Sequence, residues 1–193
     1  MRSGPFRATW DWILSDEATT QEPLQILRRI DGNVIMLRLR ASGGGSIMDR
    51  RIPFTPNQWH HIVYTYDGTT LTSYRDGVII ETPVSSTAIP GSSPRNLEFG
   101  RHSGGGGPWD GFLDEVRIFR AAVPASYIQK RYVQGIKDLV ANGGISQQEK
   151  QQRIAELRNS GQLVIDLDAA LVGPIDFSPY AHYFEALSLE ATE

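Results

Sequence analysis

The chain has 193 residues, a net charge of -3, 40% hydrophobic and 21% charged residues, and no cysteine. This composition is that of an ordinary globular protein, large enough for one sizeable domain or one domain with an appendage. The weak acidity gives no electrostatic basis for binding nucleic acid or an anionic membrane. The lack of cysteine excludes disulfides, thiol catalysis and thiolate metal sites.

The apolar runs of the chain are short. None approaches the ~20 residues that span a bilayer, so membrane insertion is not expected. The opening stretch, MRSGPFRATWDWIL, lacks a long apolar core after its basic residue and does not resemble a secretory signal.

The first part of the chain consists of strand-like runs separated by turn signals. An Asp76-Gly77 pair between two runs is typical of a type I′ hairpin, whose central residues both need positive φ. A second hairpin is predicted at Asp31-Gly32-Asn33. Short strands at this spacing predict an antiparallel sandwich or barrel. The predicted strands cover residues 6–14, 23–30, 34–41, 46–54, 59–66, 70–75, 78–84, 96–102 and 112–120.

The pattern changes to helical periodicity at Pro124. The run that it opens carries apolar residues on one helical face and ends at residues 142–144. A second helix is predicted from Ser146, which with Glu149 forms a capping box, to Gly161, and its apolar stripe is thin. Residues 163–171 and 182–190 are again predicted to be strands.

Several motifs in these runs carry a family resemblance. WHHIVYTYDG and YRDG, followed by WDGFLDEVRIFRAAVPASYIQKRY, resemble the middle of the laminin-G-like, concanavalin A-like β-sandwich family. The resemblance covers roughly residues 6 to 132. It implies a mainly β protein, an antiparallel jelly-roll sandwich to which this chain adds a helical hairpin. The fold hosts lectins, adhesion modules, glycosidases and structural proteins, so it does not define a function.

The opening strand of the family pattern is missing before residue 6, whereas residues 163–189 resemble it. We therefore expect a sandwich at 1–123, a helical hairpin at 124–161 and a C-terminal segment at 162–193. That segment would complete the sandwich within its own chain, as a circular permutation, or in a neighbouring chain, since an unpaired edge invites strand addition. A third alternative is an extra layer or a second, incomplete domain.

Two adjacent acids lie inside the predicted strand 112–120. Because strand residues alternate between faces, Glu115 is expected to pair with Arg117 on a half-solvated face. Asp114 is expected to point toward the core, where a carboxylate needs a partner. That partner would be backbone amides, an arginine or a calcium ion. The resemblance implies a structural Ca²⁺ shared by Asp114 and Asp176, from the loop of the C-terminal segment.

The sequence shows no catalytic set. The E-x-D-x-E strand of the family's glycosidases is missing, as are G-x-S-x-G, H-E-x-x-H and P-loop motifs. Trp109, in a glycine-rich loop, and Tyr74 are the candidate sugar-stacking residues, with core packing as the alternative for Trp109.

Two functions are consistent with these features. The first is a non-catalytic structural or assembly protein that binds itself or protein partners; combined with the missing signal, it would suit a bacteriophage virion as a decoration, tail or fibre subunit. The second is a calcium-dependent carbohydrate-binding or adhesion module of an extracellular protein. The sequence slightly favours the first.

Overall fold

The computed structural model describes residues 1–3, 10–16, 24–29, 33–40, 46–85, 97–102 and 107–183. Their strands form two antiparallel sheets of a sandwich and one short two-stranded pair. The strands are β1 (Arg2–Ser3), β2 (Trp10–Asp16), β3 (Leu24–Arg29), β4 (Val34–Arg40), β5 (Ser46–Pro53), β6 (Ile62–Tyr66), β7 (Thr70–Arg75), β8 (Val78–Ile79), β9 (Val84–Ser85), β10 (Leu97–Phe99), β11 (Gly107–Pro108) and β12 (Gly111–Phe112).

The first sheet has six strands in the order β10-β2-β3-β4-β5, with β11 added parallel to β2. The second has four strands, with β7 between β6 and β8 and also paired with β9. Strand β1 pairs with β12. The prediction of a mainly β, antiparallel sandwich with a helical addition is confirmed.

The four-stranded sheet lies between the six-stranded sheet and the helices. Leu71 of β7 packs against Leu37 and Leu39 of β4, which forms part of the sandwich core. Tyr74, on the opposite face of β7, packs against Tyr127 of the first helix. This placement follows from strand alternation, because residues an odd number apart point to opposite faces.

The helices are α1 (Ala125–Ala141), α2 (Gln147–Asn159) and α3 (Leu167–Val172), followed by a 3₁₀ segment at Ser178–Tyr183. The predicted helices α1 and α2 are confirmed. So is the Ser146 cap, whose Oγ accepts the backbone N–H of Glu149 at 3.0 Å. The three helices share one apolar cluster around Ile136, Leu157 and Leu167.

The strand predicted at 163–171 is wrong, because residues 167–172 form α3. The alternating apolar residues of this stretch favoured a strand. However, the Asp166 side chain accepts the N–H of Ala169 at 3.0 Å and starts a helix, and Leu167 and Ala170, three residues apart, are buried together. Of the strand predicted at 182–190, residues 182 and 183 belong instead to the 3₁₀ segment, and residues 184–190 lie outside the described residues. Whether 162–193 completes a sandwich stays a prediction, since residues 184–193 lie outside the described residues.

The strand predicted at 112–120 is also wrong beyond its first residue. Strand β12 ends at Phe112, and Glu115 has a φ of +54°. The Asp114 side chain accepts the Glu115 N–H at 2.8 Å, and such local bonds compete with a strand ladder. The predicted hairpin signal at Asp31-Gly32 lies outside the described residues.

The Asp76-Gly77 hairpin is confirmed, with φ of +54° and +84° at its two central residues. Gly77 also faces the helices, since a Cβ built on it would lie 3.2 Å from Tyr132 Cδ1 and 3.3 Å from Leu157 Cδ1. The turn between β7 and β8 therefore lies directly against α1 and α2.

Replacing Gly77 tests this contact. Gly77→Ala should lower the free energy of unfolding by about 2 kcal/mol, because it adds steric crowding to the cost of positive φ. Gly68→Ala is the matched control, since Gly68 has a φ of +95° and nothing within 4 Å of its Cβ position. Urea denaturation measures both. Equal losses in the two variants would mean that the turn is not packed against the helices.

Candidate functional site

A buried polar network surrounds the β7–β8 turn. The Asp76 carboxylate accepts His60 Nδ1–H at 2.7 Å and the backbone N–H of His61 at 3.0 Å. The Thr55 N–H donates to His60 Nε2 at 3.0 Å. A carboxylate–imidazole pair of this kind serves hydrolases, but there Nε2 must reach a nucleophile. Here the Thr55 backbone amide donates to Nε2, so the pair links backbone segments of the fold.

Helix α2 contributes an arginine to the same network. The Arg153 guanidinium donates to Glu149 Oε1 at 3.0 and 2.7 Å, and its Nη1 lies 4.0 Å from Asp76 Oδ1. Burial acts to raise the pKa of the Asp76 carboxyl. The hydrogen bonds from His60 and His61, together with the Arg153 charge, outweigh this and hold the pKa below its ordinary value. The Asp76 carboxyl is therefore ionised at neutral pH.

His61 is the neutral member of this region. Its ring stacks on Tyr132 of α1, with centroids 6.2 Å apart. Burial lowers the pKa of His61 to about 4. The ring contact and the burial identify His61 as a packing residue.

The predicted calcium residues lie on the surface. Asp114 is exposed and does not point into the core, which corrects the expectation from strand alternation, and its Oδ1 accepts the neighbouring N–H of Glu115. Asp176 is exposed and caps the 3₁₀ segment, accepting the Ser178 N–H at 2.8 Å. Among the described residues no group of three or more His, Cys, Asp or Glu has metal-site geometry. Shared calcium binding stays a prediction.

The predicted sugar-stacking residues are buried in different clusters. Trp109 is 9% exposed and packs with Ile13, Ile35 and Phe54, while the Arg28 guanidinium lies 5.2 Å from its ring centroid. Tyr74 is 8% exposed and packs with Tyr127. Tyr74 lines an open cavity beside β8 that Trp109 does not line, so the two rings do not form a common platform. Their role in sugar binding stays a prediction.

The predicted Glu115–Arg117 pair is confirmed, with Arg117 Nε donating to Glu115 Oε2 at 3.1 Å. It belongs to an exposed run, residues 114–118, in which Val116 is 52% and Ile118 39% exposed. The run is held at both ends by partly buried residues, since Leu113 packs against the Trp109 cluster and Phe119 against the Tyr127 cluster. Phe112, just before it, is 64% exposed.

A cavity of about 570 Å³ lies beside β8 and the start of α1, with Ile79, Pro83 and Val164 in its wall. Its amide groups are already bonded. The Gln162 side chain accepts the Ile79 N–H at 2.7 Å and donates to the Ile79 C=O at 3.1 Å. Gln129 Nε2 donates to the Gln162 C=O at 2.8 Å, and its Oε1 accepts the Val164 N–H at 2.9 Å. Polar ligand groups would find few free partners here.

The roles of the Gln129 and Gln162 side chains and of Arg153 were not predicted from the sequence. Neither was the Asp11–Arg28 ion pair. Asp11 is 0% and Arg28 3% exposed, and they are register partners on β2 and β3. A polar residue at a core position was the available signal, in Asp11 between two tryptophans and in Gln129 beside Ile128 of the apolar helix stripe.

No helix in the described part of the chain is both long and apolar enough to cross a membrane.

Two antiparallel sheets packed face to face define a β-sandwich domain. The family model Laminin_G_3, described as the concanavalin A-like lectin/glucanases superfamily, matches residues 7–129. The chain therefore belongs to this family, as the sequence resemblance indicated.

A solved S-layer domain-containing protein (residues 221-444) from Clostridium thermocellum ATCC 27405 is similar at 19% identity, with a TM-score of 0.32. The alignment covers 60% of this chain and 58% of that one, and a similarity of this size does not indicate a function. No curated protein matches the chain.

The lowered pKa of His61 predicts a pH dependence of stability. Between its ordinary value of 6.5 and about 4, the unfolded chain binds a proton that the folded chain does not. This contribution to stability is fully present above pH 6.5 and is lost as the pH falls through this window, by at most about 1.4 kcal/mol per pH unit. Urea midpoints at intervals across the window measure it.

The matched variants are His61→Gln and His182→Gln, because His182 is exposed. The first should flatten the pH dependence and the second should leave it unchanged. A His61→Gln profile parallel to the unmodified one would contradict the assignment.

The calcium prediction has a direct test in thermal melting. If Asp114 and Asp176 share an ion, adding Ca²⁺ must raise the Tm, because a ligand bound only to the folded state stabilises it. Asp114→Asn must remove that rise, whereas Asp168→Asn, at another exposed carboxylate, must keep it. A Tm independent of Ca²⁺ would exclude the site.

Proposed function

We propose that this domain is a non-catalytic structural module that assembles with copies of itself. The observation that carries the proposal is the exposed run 114–118. In the described part of the chain, no backbone hydrogen bond joins it to another segment. Its sequence nevertheless alternates as a strand does, and two of its apolar side chains face solvent. Exposed apolar groups on a segment without a pairing partner are typical of contact surfaces.

The side chains that could act as acids or bases make their contacts within the protein, which supports a non-catalytic role. His60 bonds to Asp76 and to the Thr55 amide, Arg153 bonds to Glu149, and His61 stacks against a helix. A general acid or base must instead reach a substrate proton. Family membership agrees with this proposal, because the superfamily holds binding and structural modules as well as enzymes.

The carbohydrate-binding alternative has weaker support. Its predicted aromatic residues are buried, and the exposed Phe, Tyr or Trp rings among the described residues are Phe99 and Phe112. Glycan binding in the absence of self-association would favour this alternative. A self-assembling module suits a virion or an extracellular scaffold, and both locations stay predictions.

Val116→Asp tests the proposed function. The mass of the full chain, followed by light scattering as concentration rises, should increase above that of a monomer. Val116→Asp should weaken this association about tenfold or more, because it places a charge where an apolar contact is expected.

The control is Val172→Asp, the same change at a side chain that is 90% exposed at the end of α3. It should associate like the unmodified chain. A monomer at every concentration, or equal weakening by the two variants, would overturn the proposal.

A further inference from the structure

The exposed run has a symmetry that suits pairing with itself. Its five residues, 114–118, are centred on Val116. The partly buried anchors Leu113 and Phe119 lie three residues to either side of that centre. An antiparallel pair of two such runs about a twofold axis at Val116 therefore uses all five exposed residues of each copy. The anchors of one chain would then lie opposite those of the other.

Charge complementarity favours this register. In an antiparallel pair centred on Val116, residue 115 of one copy lies directly opposite residue 117 of the other. Glu115 then faces Arg117 twice, once on each side of the axis, and opposed strand residues have Cβ atoms only about 5 Å apart. Val116 faces its own copy. Asp114 faces Ile118 at the ends of the pair, where the carboxylate stays hydrated. A parallel pair in register would instead place Glu115 against Glu115.

The backbone of the single chain also favours a change on pairing. Glu115 has a φ of +54°, which is unfavourable for a residue with a long side chain. Its neighbours Val116 and Ile118 are β-branched and prefer an extended backbone. Adding a partner strand would return Glu115 to the extended region and would give the backbone groups of 114–118 a ladder.

The edge of β8 is a less suitable site for strand addition. The N–H and C=O of Ile79 both bond to the Gln162 side chain, so those positions of the edge are filled. Residues 114–118 have no such cover within the described part of the chain.

We infer that residues 114–118 form an antiparallel strand pair with the same residues of a second copy, in a register that opposes Glu115 to Arg117. This inference rests on the proposed function of self-assembly and names its surface, partner and geometry. Because the contact is twofold, it closes on itself and produces a dimer rather than a filament. Five paired residues make a small interface, so the dimer should be weak and should form at high concentration.

Charge reversal in both directions tests the register. Glu115→Arg alone and Arg117→Glu alone should each raise the dimer dissociation constant about tenfold or more, because like charges then oppose each other across the pair. An equimolar mixture of these two variants should form a heterodimer, since every opposed pair is again of opposite charge. The double variant Glu115→Arg, Arg117→Glu should form a dimer like the unmodified chain. Sedimentation equilibrium of the full chains measures all four.

Asp168→Arg is the matched control, because it makes the same charge change and breaks another exposed ion pair, that with Arg158. It should leave the dimer unchanged. Association that is lost in Val116→Asp but unaffected by either charge reversal would overturn the register and leave the proposed function standing. Larger assemblies without a dimer plateau would overturn the closed twofold geometry. No association of the unmodified chain would overturn the inference and the proposed function together.

Discussion

The Asp76 carboxylate is the group on which the arrangement of the sheets and helices depends. It lies in a turn that needs positive φ, and it accepts hydrogen bonds from the His60 ring and the His61 backbone. It also lies 4.0 Å from the guanidinium of Arg153, on helix α2. A carboxylate buried to this extent is stable only where donors and a positive charge surround it. The helices therefore contact the sandwich through the charge of Arg153 as well as through the apolar cluster around Ile136 and Leu157.

The sequence predicted best those elements whose local signals agree with their surroundings. The Asp-Gly hairpin, the Ser146 cap and the strands of the sandwich are of this kind. It failed where a short-range hydrogen bond opposes the periodicity. Asp166 starts a helix in a stretch whose apolar residues alternate, and Asp114 bonds to the next backbone amide in a stretch that otherwise favours a strand. The alternation of apolar and polar residues reports only side-chain hydrophobicity. These carboxylates instead accept hydrogen bonds from backbone N–H groups and so change the local backbone conformation.

The candidate site could be predicted only in part for a related reason. The Glu115–Arg117 pair is local and was visible in the sequence. The partners of Asp76, by contrast, come from residues up to 77 positions away, and the burial of Trp109 depends on contacts with Ile13, Ile35 and Phe54. Membership of the superfamily describes the framework, while the use of each side chain depends on packing that a single sequence does not reveal.

The Gln162 amide has a consequence for the order in which the protein is made. It covers the β8 edge in the way that one peptide unit of a neighbouring strand would, but it lies 83 residues after Ile79. During synthesis from the N-terminus, β7 and β8 leave the ribosome well before their cover does. A nascent chain released or stalled before residue 162 would carry this edge uncovered, in the state most open to joining other unfinished chains. Gln162 thus covers the sheet edge only after α1 and α2 have been synthesised.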